Sequence, residues 1–267
     1  MRGLLVTSRA LRDGRLGLTW WAVGIGVYSV FIMAVWPVMD DNEDFQDLAD
    51  SYPDALQAMM GGSDAFSALT TPAGFLDTYL FSMILPLLLV GLAVSMGASL
   101  LAGEEENGLL DLLLSNPVTR SRALAEKALA IVIALLGLAV ILDLVVLVVG
   151  QPVNLSIGVD KLVAATVGAV LFGLFHGLLS MLAGAVAGSK GLAVGVGWGV
   201  ALVGYLLNVV SNMDSSLEWL RWGSPLYYAT ANTPLLNGMP VEYLVILGAC
   251  AVTLVAALIA FRRHDIS

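Results

Sequence analysis

The sequence predicts an all-α, polytopic membrane protein with six transmembrane helices and both termini on the cytoplasmic side. Three observations predict it. First, the 267 residues are 58% hydrophobic and only 12% charged, against about 25% charged in a soluble domain. Second, the apolar residues are gathered into six long runs, each sufficient to cross a bilayer. Third, the basic residues are segregated. With the N-terminus inside and the sides alternating, the inner segments hold Arg2, Arg9, Arg12, Arg15, Arg120, Arg122, Lys127, Lys190, Arg262 and Arg263, and the outer segments hold only Lys161 and Arg221. The reverse topology would invert this bias. The formal charge of −9 says little about partners, because the acids are clustered. Cys250 is the only cysteine and lies in an apolar run, so no disulfide within the chain and no cysteine-based metal site is possible. It reads as a small buried apolar residue. The whole chain, 1–267, reads as one transmembrane domain with no internal repeat at a fixed period.

Residues 1–17 carry Arg2, Arg9, Arg12 and Arg15 among Leu4, Leu5, Val6, Leu11 and Leu16. A helix here would lie on the membrane surface with its Arg heads at the phosphates. The pattern is imperfect, because Arg12 and Arg15 fall near the Leu4/Leu5 face, which snorkelling can relieve. Span one is 18–38, with Trp20 and Trp21 at one end and Trp36 at the other as interfacial aromatics. It lacks a small-residue cleavage site and reads as a retained anchor. Residues 39–77 form an outer loop holding Asp40, Asp41, Glu43, Asp44, Asp47, Asp50, Asp54, Asp64 and Asp77 with no Lys or Arg. Short helices are expected at 54–60 and 64–69, closed by Gly61-Gly62 and Thr71-Pro72. No calcium-loop spacing is present, so the acids read as a solvated surface. Span two is 78–102, with a kink expected at Pro86. Spans three to six are 128–149, 162–187, 192–210 and 243–261. A tight turn, Gly188-Ser189-Lys190-Gly191, joins spans four and five.

The chain is organised around the loop at 103–127, which reads GEEENGLLDLLLSNPVTRSRALAEK from Gly103. It opens with Glu104, Glu105 and Glu106, breaks at Ser115-Asn116-Pro117, and restarts as a short polar helix carrying Arg120 and Arg122. Proline at a first helical position behind Asn or Ser is a helix-start signal. Two short helices with a rigid corner at Asn116-Pro117 would give a soluble partner something to push.

This loop resembles that of the type-two ABC transporter permeases, the exporter fold also used by the eukaryotic G subfamily. The residues that carry the resemblance are Glu105, Glu106, Gly108, Leu112 to Ser115, Pro117, Val118, Thr119, Arg120 and Lys127. A second match lies in 211–242, a segment too polar to span. There Ser224, Pro225, Leu226, Tyr227 and Tyr228, then Leu235, Leu236, Asn237 and Gly238, resemble the family's pair of short helices that dip into the outer leaflet before the last span. The resemblance implies the transmembrane permease subunit of an ABC exporter in the plasma membrane. It implies a partner copy or homologue, two separate ABC-type ATPase subunits, and a substrate path lined by spans two and five. It also implies an N-terminal interfacial helix and a coupling helix between spans two and three. Contacts to the ATPase, or to the basic N-terminal helix, would come from Glu104, Glu105, Glu106, Pro117, Val118, Thr119, Arg120 and Arg122. ATP and Mg would sit on the ATPase, with no cofactor, catalytic residue or metal in this chain and no nucleic-acid partner. The chain itself has no G-x-x-x-x-G-K-(S/T) and no H-E-x-x-H.

Asp143 and His176 are the ionisable residues within the spans, and such residues are functional hypotheses by default. By helical rise, Asp143 lies roughly 9 Å and His176 roughly 20 Å below the outer ends of their spans, too far apart for a direct pair. Each could instead bond a neighbouring helix. They define the rival reading, a proton-coupled secondary transporter. Apolar spans with few charges favour an amphipathic drug, antibiotic or lipid as the cargo of the exporter. Glycines four apart, Gly191/Gly195/Gly199 on span five and Gly184/Gly188 at the end of span four, allow close helix approach.

Overall fold

The computed structural model describes residues 4–40, 71–82, 84–108, 119–153, 155 and 157–263. All described secondary structure is helical, and six helices are long and apolar enough to cross a membrane. A short helix, Leu5–Asp13, precedes span one, Arg15–Asp40. Span two runs Pro72–Glu106, span three Arg120–Gly150, span four Val159–Ala187, span five Lys190–Met213 and span six Tyr243–Arg263. The bundle end that carries Glu104–Glu106 and Thr119 is called the loop end below, and the opposite one the far end.

Span four is the centre. It packs on spans two, three, five and six and on the short helices that precede span six. Its seam against span two is built from small residues. A Cβ at Gly177 would lie 2.8 Å from the Ala93 Cβ, one at Gly173 would lie 3.0 Å from the Leu89 Cβ, and one at Gly184 would lie 3.2 Å from the Ala102 Cβ. A Cβ at Gly97 would overlap the Gly177 carbonyl oxygen. With no apolar driving force between helices in lipid, such close backbone approach is what holds spans together. The Ser180 hydroxyl, 3.2 Å from the Val94 carbonyl and 2.9 Å from that of Ala193, ties spans two, four and five at one point. Gly97→Ala is therefore expected to destabilise the bundle by about 2–3 kcal/mol, as overpacking does. Gly137→Ala, where nothing among the described residues lies within 4 Å, is expected to be neutral. Unfolding titrations of the two purified variants check the contrast.

Span two is not one regular helix. It changes to a π-helical turn at Asp77–Phe81 and again at Ser99–Gly103, with regular α-helix over Ile84–Ala98. Pro86 falls in the first turn of that middle segment, where a missing N–H costs little. The span also starts earlier than expected. Thr71 caps its first helix, accepting from the Gly74 N–H at 3.1 Å, with Pro72 at the first position. Asp77, expected in the solvated loop, is consequently inside the bundle and 1% exposed. The expected helices at 54–60 and 64–69 lie outside the described residues.

Two further expectations change. Trp36 is not an interfacial anchor. It is buried with its ring 5.3 Å from that of Phe75. The N-terminal helix ends at Asp13, Gly14 makes the corner, and Arg15 already belongs to span one. The residues this short helix buries are Val6 and Thr7, while Leu4 and Leu5 are exposed. Between spans four and five, Gly188 takes φ +59°, a left-handed conformation that glycine adopts without strain, and returns its N–H to the Gly184 carbonyl at 2.9 Å.

Candidate functional site

At the loop end the acids that close span two are distributed to its neighbours. Glu104 accepts from the Lys127 ammonium at 2.8 Å, linking spans two and three. Lys127 is 1% exposed and would be an uncompensated buried charge without this carboxylate. Glu106 accepts from the Lys190 backbone N–H at 2.8 Å, on the positive end of the span-five helix. Glu105 is half-buried beside them. Asn107 then donates to the Gly103 carbonyl at 2.6 Å, and Gly108 turns the chain out at φ +66°.

On the returning side, the expected short polar helix is continuous with span three. Thr119 is its N-cap, accepting from the Arg122 N–H at 3.4 Å, and Arg120–Gly150 is one helix of 31 residues. A push on Arg120 or Arg122 would thus act directly on a lever that crosses the whole bundle. Pro117 and Val118, with the rest of 109–118, lie outside the described residues. Arg122 reaches Glu126 one turn on, at 2.8 Å. Glu126 also accepts from the Val6 N–H at 2.8 Å, while its backbone carbonyl accepts from the Thr7 hydroxyl at 2.8 Å. The N-terminal helix is therefore seated on span three by a carboxylate at its own N-terminus, a favourable charge–dipole contact. Sequence reading overlooked Glu126. The i, i+4 spacing from Arg122 was the available signal, but the backbone partner 120 residues away left none. At the other side Arg262, in the last turn of span six, donates to Ser121 at 2.6 Å.

The intramembrane pair does not meet. Thr166 on span four lies 2.6 Å from a carboxylate oxygen of Asp143 on span three, a helix-to-helix bond. His176 lies ten residues further along span four, about 15 Å by helical rise. Its Nδ1 is 2.8 Å from the Phe172 carbonyl, so this nitrogen carries the proton and donates. The ring is fully buried, edge-on to Phe172 at 4.4 Å and to Phe175 at 5.0 Å.

At the far end, the chain between spans five and six turns back into the bundle. A 3₁₀ segment, Ser215–Gly223, runs along span five and is capped by Asp214, which accepts from the Ser216 N–H at 2.8 Å. Hydrogen bonds from Ser216 hold the Asp214 carboxyl below the ordinary range. The cap is thus in place at neutral pH and is lost only as acid protonates it. Ser224 then donates to the Gly204 carbonyl at 2.7 Å, nine residues short of the end of span five. The helix Pro225–Thr230 places the Ala229 carbonyl against Gly168, nine residues into span four. Both contacts lie about 13 Å inside the bundle, close to a leaflet's depth. A second short helix, Pro234–Asn237, follows before span six opens at Tyr243, whose hydroxyl donates to the Ala164 carbonyl at 2.8 Å. Tyr227 and Tyr228 pack edge-on at 5.3 Å, and Arg221 covers the rings of Trp222 and Tyr227 at 5.1 and 5.2 Å.

Between spans two and five lies a cavity of about 270 Å³. Pro86, Leu87, Val90, Phe172, Trp198, Ala201, Leu202 and Leu226 form most of its wall, and Ser82 and Tyr205 are the lining residues with polar side chains. By helical spacing, Gly195 and Gly199 continue the face of Trp198 and Leu202, and among the described residues nothing lies within 4 Å of a Cβ at either. Gly197 and Gly204 are the span-five glycines that pack internally, on Val94 and Pro225.

Six helices long and apolar enough to span, a loop end braced by carboxylates and an apolar cavity between spans define a polytopic membrane protein. The model of the family described as ABC-2 family transporter protein matches residues 11–266, and the chain belongs to that family. Membership makes it the membrane subunit of an ABC transporter, a class that works with an ABC ATPase. No curated protein matches the chain.

Proposed function

We propose that this chain is the permease subunit of an ABC exporter in the plasma membrane. Its loop end and both termini face the cytoplasm. It moves an amphipathic small molecule outward, between itself and a second copy or homologue, by alternating access. Two ABC ATPase subunits bind at the loop end and supply ATP and Mg. Their closure pushes on residues 117–122, and the continuous helix from Arg120 carries that motion into the bundle. Binding and release of ATP must favour different arrangements of the spans for this to do work.

The observation that carries this reading is the cavity between spans two and five, apolar over nearly all its wall. At about 270 Å³ it lies just under the range of about 300–1,000 Å³ usual for small-ligand pockets, so it suits a ligand of small size. The uncovered Gly195/Gly199 face beside it supports a second subunit there. The proton-coupled alternative has less support, because Asp143 is engaged by Thr166 and His176 sits about 15 Å away among aromatic rings.

The test is co-purification with the ABC ATPase encoded beside it. A stable complex whose hydrolysis rises with amphipathic compounds is the expected outcome. Proton-driven transport by the chain alone in liposomes, with no complex, would overturn the reading. Within the complex, Arg120→Glu is expected to cut transport by about tenfold or more while ATP hydrolysis and membrane insertion persist, since coupling energies of 1–3 kcal/mol correspond to that range. Undiminished transport would remove Arg120 from the coupling surface.

A further inference from the structure

The cavity wall has a polar corner that its apolar area conceals. Ser82 lines the cavity just after the outer π-helical turn of span two. Its hydroxyl donates to a carboxylate oxygen of Asp77 at 2.8 Å, and its backbone N–H donates to the Asp77 carbonyl at 2.7 Å. Asp77 is 1% exposed, so its charge is screened by protein rather than by water. Because the Ser82 proton is committed to Asp77, the oxygen presents only lone pairs to the cavity. The corner is therefore an acceptor with a carboxylate directly behind it.

Three aromatic rings, those of Phe172, Trp198 and Tyr205, also line the cavity. Aromatic faces attract a cation, and most strongly where it is desolvated. Lys and Arg are absent from the entire stretch 16–119, and among the described residues none lines the cavity. Of the far-end basic residues, Lys161 does not line the cavity and Arg221 is engaged with Glu218 and with the Trp222 and Tyr227 rings.

From these observations we propose that the cavity selects hydrophobic organic monocations, an apolar body carrying one amine or quaternary ammonium group. The cationic head sits between Tyr205 and the Ser82–Asp77 corner. The apolar body lies along Leu87, Val90 and Leu202 toward Trp198, whose ring is 3.4 Å from a Cβ at Gly91. An anion of the same shape is rejected by the buried Asp77 charge. The proposal rests on the cavity being the substrate site, and the experiment separates failure of the one from failure of the other.

Benzyltrimethylammonium and its uncharged carbon isostere neopentylbenzene differ in charge and hardly in shape. The purified full-length chain, labelled with fluorotryptophan in lipid nanodiscs, is titrated with each. Binding is read as a saturable shift of the Trp198 fluorine resonance, assigned with Trp198→Phe. The expected result is saturable binding of both, with Asp77→Asn weakening the cation about tenfold and the isostere less than about twofold. Comparing variant with wild type for each ligand cancels partition into the lipid. Ser82→Ala keeps the carboxylate and removes the acceptor, and is expected to weaken the cation alone by about threefold. It serves also if Asp77→Asn fails to fold. Equal losses for the two ligands, or none, would overturn the selection for cations while leaving the cavity as a binding site. Absence of any saturable shift at Trp198 would overturn the cavity as a ligand site, and with it this proposal.

Discussion

Replacing Lys127 by methionine is expected to cost about 3 kcal/mol of stability. The Lys127 ammonium is 1% exposed and its salt bridge to Glu104 measures 2.8 Å. Removing one member of a buried pair leaves the other without compensation. Glu104 keeps 27% of its side-chain surface, so water recovers part of the loss, which places the figure at the lower end of the usual range. The same reasoning gives the double-variant result. Glu104→Gln with Lys127→Met removes both charges and is expected to recover most of the stability, because such pairs are often replaceable by neutral groups. Denaturant titration of wild type, the two single variants and the double variant measures the coupling. Additive losses would mean that the 2.8 Å contact contributes nothing.

Glu126→Ala is expected to release the N-terminal helix. It removes an acceptor for the Val6 N–H and the partner of Arg122, both at 2.8 Å, and Glu126 is buried. Hydrogen bonds to charged groups contribute about 1.5–3 kcal/mol each. A loss of about 3 kcal/mol shifts the docking equilibrium roughly 100-fold. Limited trypsin cleavage at Arg9 and Arg12 reads it directly, since cleavage follows the opened population when reclosing is fast. Glu126→Gln keeps an acceptor for the Val6 N–H and loses the charge, so an intermediate rise is expected. Cleavage unchanged in Glu126→Ala would show that Val6, Thr7 and the surrounding apolar contacts hold the helix unaided.

The spans were legible because their apolar runs and flanking Arg and Lys are compositional features. Tyr243 opens span six where the reading put it, and the other spans extend past their expected ends because polar caps such as Thr119 and Ser189 belong to the helices. Which face of a span is buried was not legible. A helix that is apolar all round carries no moment to mark its inner side. Glycine spacing marks Gly191/Gly195/Gly199 on span five and Gly184/Gly188 at the end of span four, and of these Gly184 joins Gly173 and Gly177 in the tight seam with span two. Trp36 looked like an anchor for the same reason. Glu126 and Asp77 were missed because their roles depend on a backbone N–H and a π-helical turn, neither of which has a residue signature.

The central claim is that the loop end receives the ATPase. Cys250 is buried and its replacement by alanine leaves a chain free of other cysteines. In that background Thr119→Cys places a thiol at the exposed start of span three, and Ser216→Cys places one on the exposed far-end segment. Each is purified with the ABC ATPase and treated with a short bifunctional maleimide. Crosslinking of the ATPase to Thr119→Cys and not to Ser216→Cys is the predicted result. Crosslinking to Ser216→Cys, or to neither within an intact complex, would contradict the placement of the ATPase at the loop end.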